Sequence, residues 1–311
     1  MTWSTADIPD LTGRRALVTG ATSGLGYETA LELLRHGAEV LIAARNPEKA
    51  AQASDDLAGG SGRRPIVVEL DLADLTSVEK AADELTKTSD RLDLLVNNAG
   101  VMAPPYRQTA DGFELQVGTN HLGHFALTGR VLPLLLKAPA PRVVTVSSFM
   151  HKTVRGIVEE DLRRPAAGYR KWDAYGKSKL ANLLFMLELD RRARAAGVNL
   201  LSVGAHPGYA STHLQAAGPE LAGQQHMVRL MGIGNRVLAQ SAAAGAWPSL
   251  YAATYPDLRP GSYVGPGFLE YRGKPKIVLP NRIAQDPELA ERLWEWSVEA
   301  TGVHPALTVP R

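Results

Sequence analysis

Residues 16–26, Ala16-Leu17-Val18-Thr19-Gly20-Ala21-Thr22-Ser23-Gly24-Leu25-Gly26, read as a buried strand, a glycine-rich turn and the opening of a helix. Gly20 permits a tight turn, Gly24 lets a backbone approach a pyrophosphate, and Gly26 lets the helix pack on the strand. A helix amino terminus after such a turn offers unpaired N–H groups and a favourable dipole to phosphates. Glycine triplets also occur in plain turns. The strand–turn–helix context makes this one a dinucleotide-binding expectation.

The same alternation continues outward from that stretch. Segments 16–19, 39–43, 66–70, 92–96, 143–146 and 198–203 read as buried strands. Between them, 25–35, 47–57, 77–86, 111–137 and 172–196 carry helical patterns, the second with Pro47 at a favourable first position. The pattern predicts an α/β fold: a doubly wound, Rossmann-type, mostly parallel sheet with helices on both faces. Beyond Gly208 the periodicity weakens. There 241–255 reads as a helix, 262–265 as a late strand and 287–301 as a final helix. With no linker and no repeat, one domain over 1–311 is expected, its core at 10–212 and its lid and carboxyl-terminal elements at 213–311.

Composition narrows the function classes. Of 311 residues, 45% are apolar and 21% charged, enough for a core without metal or disulfide staples. A net charge of +2 gives no footprint for nucleic acid or a membrane surface. With no cysteine, thiolate metal sites and a cysteine nucleophile are excluded, and a reducing compartment fits. The first residues lack the basic and apolar regions of a signal peptide. The densest apolar stretch, 131–136, is interrupted by Pro133 and falls far short of the ~20 residues of a membrane span. A cytoplasmic protein without a membrane span is the expectation.

Tyr175 and Lys179 stand four apart, one turn along a helix face. Free tyrosine, with a pKa near 10, is a poor base at neutral pH. A nearby ammonium, with the positive charge of an oxidised nicotinamide, would favour the phenolate and lower that pKa. Such a pair can give a proton to a carbonyl oxygen or take one from an alcohol. Val143-Val144-Thr145-Val146-Ser147-Ser148 ends a strand in two hydroxyls, where a parallel sheet presents its ligands. His121 and His124 lie three apart with no accompanying carboxylate motif, so no metal site is expected. His206 reads as a packing or strand-end residue.

The spacing Gly-x-x-x-Gly-x-Gly at 20–26 resembles the nucleotide loop of the short-chain dehydrogenase/reductase superfamily. Three more matches follow in family order: Asn97-Asn98-Ala99-Gly100, Tyr175-Gly176-Lys177-Ser178-Lys179, and Pro207-Gly208. The resemblance spans about residues 10–212. It implies an oxidoreductase interconverting an alcohol with a ketone or aldehyde, with Tyr175 as acid/base and Lys179 lowering its pKa and holding the ribose. Ser148 would position the reacting oxygen, with Ser147 the alternative. Asn120, in Asn120-His121-Leu122-Gly123, would anchor a proton-relay water, unless it simply faces solvent. The cofactor would lie along Gly20, Thr22, Ser23, Gly24, Leu25, Gly26, Asp71, Leu72, Asn98, Ala99, Gly100, Pro207, Gly208 and Thr212. For Asp71, contact with the adenine ring stands against a turn or capping role.

Ser148 and Tyr175 are 27 residues apart, more than is usual in the family, so 149–174 is expected to hold an exposed loop beside the site. Ser147-Ser148-Phe149-Met150-His151, Ser178-Lys179-Leu180-Ala181-Asn182 and His206-Pro207-Gly208 resemble the retinol dehydrogenase and WW-domain oxidoreductase branch. Leu214, Leu221, Met227, Val228, Leu230, Met231 and Ile233 fall where the family places its substrate-covering segment. An apolar substrate is expected from them, against the reading of an ordinary core helix pair. The family pairs subunits through two long helices, here 111–137 and 172–196, which leaves a homo-oligomer open.

Cofactor preference is read at the end of the second strand. NAD-preferring sites place an acid there, whereas this chain has Arg45 and no carboxylate before Glu48. A guanidinium can grip a 2′-phosphate with two charge-assisted bonds, so NADP(H) is expected over NAD(H). The competing reading pairs Arg45 with an acid such as Asp71. A catalytically silent NADP(H) sensor on the same fold is the rival to an enzyme, but a sensor has no need of Ser148, Tyr175, Lys179 and Asn120 together.

Overall fold

Val, Leu, Ile and Ala fill β1 (Arg15–Thr19) and β2 (Glu39–Ala44) so thoroughly that both strands need cover on two faces. The structure, a computed structural model, describes residues 3–209 and 240–308. Thr212 and the apolar segment from Leu214 to Ile233 lie outside the described residues. Eight strands form one sheet in the order β3-β2-β1-β4-β5-β6-β7-β8. The parallel members continue with β3 (Ile66–Glu69), β4 (Leu94–Asn97), β5 (Arg142–Val146), β6 (Leu201–Ala205) and β7 (Tyr263–Phe268). β8 (Arg272–Val278) closes the edge antiparallel to β7.

Helices cover both faces, as the alternation predicts. α1 (Gly24–Arg35), α2 (Pro47–Ser61) and α6 (Ala242–Thr254) bury Leu33, Leu34, Leu57 and Leu250 against one face. α3 (Leu75–Thr88), α4 (Gly123–Leu135), α5 (Lys171–Ala195) and α7 (Pro287–Thr301) cover the other, with Phe125, Phe185 and Trp294 packed ring against ring. No helix among the described residues is long and apolar enough to cross a membrane.

Helix starts follow cap chemistry. The Asn46 side chain accepts the Lys49 N–H at 2.8 Å ahead of Pro47, and Asp74 caps α3 in the same way. At α1 the capping Ser23 makes no such bond, leaving the first N–H groups of that helix open toward the glycine turn.

Several elements differ from the sequence expectation. The helix expected at 111–137 begins only at Leu115, because Gly112 is left-handed and the Glu114 carboxylate accepts the N–H groups of Gln116 and Val117. A π-helical turn, Gly118–Leu122, then interrupts it. β6 starts three residues later than expected, after left-handed Gly197 and a connection held by Asn199 Nδ2 on the Pro139 carbonyl. The 149–174 insertion is largely exposed and lies beside the site, as expected, but it is ordered. Two short 3-10 turns order it, Leu162 packs on Phe113, and buried Asp161 is bound by Arg164 and Lys177. Finally β8 was not expected: its alternation is charged rather than apolar, as suits an edge strand.

Candidate active site

The strand order reverses between β1 and β4, and the loops leaving their carboxyl ends meet there. Gly20 and Gly24 are left-handed (φ +66° and +59°), which favours glycine. A Cβ on Gly20 would sit 2.9 Å from the Ala99 Cα, and one on Gly26 would strike the Gly20 carbonyl and the Asn98 side chain. The glycines therefore let two loops touch as well as opening a cradle. Thr19 ties the loops together: its Oγ1 accepts the N–H groups of Asn98 and Ala99, both at 2.9 Å, and donates to His124 Nε2 at 2.9 Å. His124 Nδ1 in turn donates to the Asn120 carbonyl, which fixes the tautomer.

Over this junction runs a cleft of about 390 Å³. The glycine turn, Arg45, Asp71, Leu72, Asn98, Ala99 and Gly100 all line it, so the structure gathers most of the expected cofactor residues in one place. The cradle fits a dinucleotide: the α1 N–H groups are uncapped, and the buried Thr119 Oγ1 on the cleft wall has no partner among the described residues. Arg45 is 72% exposed, and its nearest carboxylate oxygen, on Asp71, is 3.9 Å away. The other Asp71 oxygen accepts the Ala73 N–H at 2.9 Å, so that residue does serve its turn.

A second cavity, about 340 Å³, adjoins the first and shares Leu25, Asn98, Gly100 and Val101 with it. Pro207 and Gly208, expected along the cofactor, line this second cavity, as Tyr175 and Lys179 do. Tyr175 and Lys179 enter from α5, both almost wholly buried. The Tyr175 phenol and the Ser148 side chain line this cavity together, near enough that Ser148 favours the phenolate. Ser147 Oγ donates to the Lys179 carbonyl at 2.8 Å, which commits that hydroxyl to holding the helix. Of the two serines, Ser148 is the one that meets Tyr175.

Lys179 Nζ lies 5.8 Å from the Tyr175 ring centre and donates to the Val146 carbonyl at 3.2 Å. Gly100 makes room here: a Cβ would lie 2.9 Å from Asn120 Oδ1 and 3.5 Å from Lys179 Nζ. Asn120 is fully buried rather than solvent-facing. Its side chain accepts the Val101 N–H and donates to the Val101 carbonyl and Ser178 Oγ.

Burial pushes the Tyr175 phenol up to about 12, partly offset by the neighbouring Ser148 side chain, and brings Lys179 down to about 8. Desolvation is the largest cause in both groups. At neutral pH Tyr175 therefore holds its proton, ready to donate it. His121 and His124 are buried and neutral, held near 3 and 4 by desolvation, with His121 Nε2 paired to Ser297 Oγ at 2.8 Å.

The sequence reading missed several cavity residues, among them Met102, Trp172, Glu270 and Tyr271. Trp172 sits one turn before Tyr175 and could have been found from that helix phase. Glu270 and Tyr271 arrive from the β7–β8 turn and carry no local signal.

A doubly wound sheet with a glycine cradle at its switch point and Ser148, Tyr175, Lys179 and Asn120 beside it defines a dinucleotide-dependent oxidoreductase. The short chain dehydrogenase family model matches residues 14–159. Retinol dehydrogenase 14 of Mus musculus is 39% identical over 304 residues, 94% of this chain and 86% of its own. Retinol dehydrogenase 13 of Homo sapiens is 38% identical over 303 residues, 96% of this chain and 87% of its own. A crystal structure of an uncharacterized protein from Mycobacterium paratuberculosis aligns with TM-score 0.81 and 42% identity, covering 98% of this chain and 100% of that one. A short chain dehydrogenase from Shigella flexneri complexed with NADP aligns with TM-score 0.62 and 25% identity, covering 82% and 97%. This chain belongs to the short-chain dehydrogenase/reductase family, in its retinol dehydrogenase-like branch, and is an NAD(P)-dependent oxidoreductase of the alcohol–carbonyl class.

Proposed function

We propose that the protein is an NADP(H)-dependent reductase of bulky apolar aldehydes or ketones, reversible with the corresponding alcohols. The observation that carries this reading is the meeting of Ser148, Tyr175 and Lys179 in a cavity that adjoins the dinucleotide cleft and shares Leu25, Asn98, Gly100 and Val101 with it. Ser148 holds the carbonyl oxygen, and Tyr175 hands its phenolic proton to that oxygen as negative charge develops. The nicotinamide supplies the hydride. Lys179, charged below about pH 8, offsets the phenolate left behind and holds the ribose. Asn120 keeps the Val101 backbone beside this pair and belongs to the relay that returns the proton. Leu25, Val101, Met102, Phe149 and Trp172 make the cavity wall apolar, in keeping with relatives named for retinol. A screen of aldehydes and ketones, following NADPH absorbance, tests the reading. Oxidation of NADPH by large apolar carbonyls is expected, and none with any carbonyl would overturn it.

The NADP preference rests on Arg45, with Lys49 one helical turn into α2 on the same cleft wall. No carboxylate ends β2, and the Arg45–Asp71 contact is too long to occupy the guanidinium. Arg45→Ala should weaken NADPH binding by about 10- to 100-fold, the scale of a charged hydrogen bond of about 1.5–3 kcal/mol. NADH affinity should change by less than about twofold. Paired fluorescence titrations check this; equal losses for both cofactors would point to the Asp71 pairing instead.

A further inference from the structure

Glu270 is the one acidic side chain among the described residues lining the catalytic cavity, and nothing in the reaction above uses it. It sits at the tip of the β7–β8 hairpin, where Leu269 and Glu270 are both left-handed (φ +50° and +58°). Non-glycine residues in that region are strained, and such strain persists only where the surroundings hold it. Three contacts hold it here. The Tyr209 N–H donates to the Tyr271 carbonyl at 2.9 Å, and Gly208 must be glycine because a Cβ would strike that same carbonyl. Lys152, from the turn that follows Ser148, donates to Glu270 Oε2 at 2.8 Å. His206 Nδ1 accepts the Gly208 N–H at 3.2 Å, so its ring proton is on Nε2, 3.6 Å from the same Oε2.

Both partners thus converge on one oxygen. Oε1 has no hydrogen-bond partner among the described residues, in a side chain only 23% exposed. His206 and Lys152 also hold the carboxyl down at about 2, so it stays ionised throughout the working range. A clasp between segments would need no open oxygen on a residue that lines the cavity. We propose that Glu270 determines specificity: Oε1 accepts a hydrogen bond from a hydroxyl or ammonium at the far end of an otherwise apolar carbonyl substrate, and its charge turns away carboxylate-ended ones. The inference rests on the carbonyl-reduction reading and deepens it, by giving the substrate a second, polar end.

The test uses aldehydes of graded chain length, each made with a hydroxyl, a methyl or a carboxylate at the far end. At the matching length the wild type should show a KM about tenfold lower for the hydroxyl-ended aldehyde than for its methyl-ended twin, as a charged hydrogen bond implies, with the carboxylate-ended one poorest. Glu270→Gln should shrink the hydroxyl-to-carboxylate gap, and Glu270→Leu should invert the hydroxyl-to-methyl ratio. KM values that move together for all three ends would mean a clasp only and would overturn the proposal, as would a wild type blind to the far end. Calorimetric titration of hydroxyl- and methyl-ended alkanes into the wild type and Glu270→Gln reads the same preference without turnover. If no aldehyde is reduced, the reductase reading fails by itself, and the calorimetric ratio still decides the role of Glu270.

Discussion

Tyr175→Phe lowers kcat for carbonyl reduction by about 10²- to 10⁴-fold, the usual share of a positioned general acid. The ring stays, and with it the packing against Trp172; only the hydroxyl goes. The cofactor cradle is built from the β1 and β4 loops, so NADPH binding should hold within about threefold, a difference near RT. Folding should change by no more than about 1 kcal/mol, the typical net worth of one hydrogen bond. Steady-state kinetics beside a cofactor titration separate these effects. More than a tenth of the wild-type rate remaining would remove Tyr175 from the role of acid.

Lys179→Met is expected to stabilise the protein while stopping it. Burying the ammonium lowers its pKa from 10.5 to about 8, which corresponds to a folding cost on the order of 3 kcal/mol at neutral pH. Met removes the charge at similar volume, and the Val146 carbonyl keeps a donor in Asn182 Nδ2 at 3.0 Å. A Tm higher by about 5–10 °C should accompany a turnover loss of at least about a hundredfold. The sign with pH follows from the depressed value. Below about 8 the folded and unfolded lysines are both charged and the cost is full. Between 8 and 10.5 the folded lysine is neutral while the unfolded one still binds a proton, so the wild type gains. The variant's advantage in Tm must therefore narrow as pH rises through that window. A variant less stable than the wild type at pH 7 would mean the ammonium is well solvated in the folded protein.

The parallel core was legible because its strands are continuous apolar runs punctuated by glycine and cap residues. The cradle was legible because Gly20, Gly24 and Gly26 are forced by local geometry. Lys179 and Tyr175 could be placed together from helical spacing alone. Their proton affinities could not, since these depend on how completely α5 is buried, which is a property of packing. In the insertion the charged run is solvated at Glu159, Glu160 and Arg163, as its composition suggests; Asp161 alone among its charges is buried, because Arg164 and Lys177 come back to it. Glu270 was invisible, since the hairpin that carries it has little apolar alternation and its partners lie more than sixty residues away in sequence.

The tight space over Gly100 bears on how a lineage of such proteins could change occupation. One added methyl there would press on Asn120 Oδ1, loosening its hold on Val101, while meeting the ammonium of Lys179 at ordinary contact distance. The turn at 20–26, Arg45 and the adenosine end of the cleft would feel nothing. A single base change, glycine codon to alanine codon, thus separates nucleotide occupancy from proton delivery. Gene duplication followed by that one step would give natural selection a descendant that still answers to the cell's reduced-nucleotide pool but has lost its chemistry.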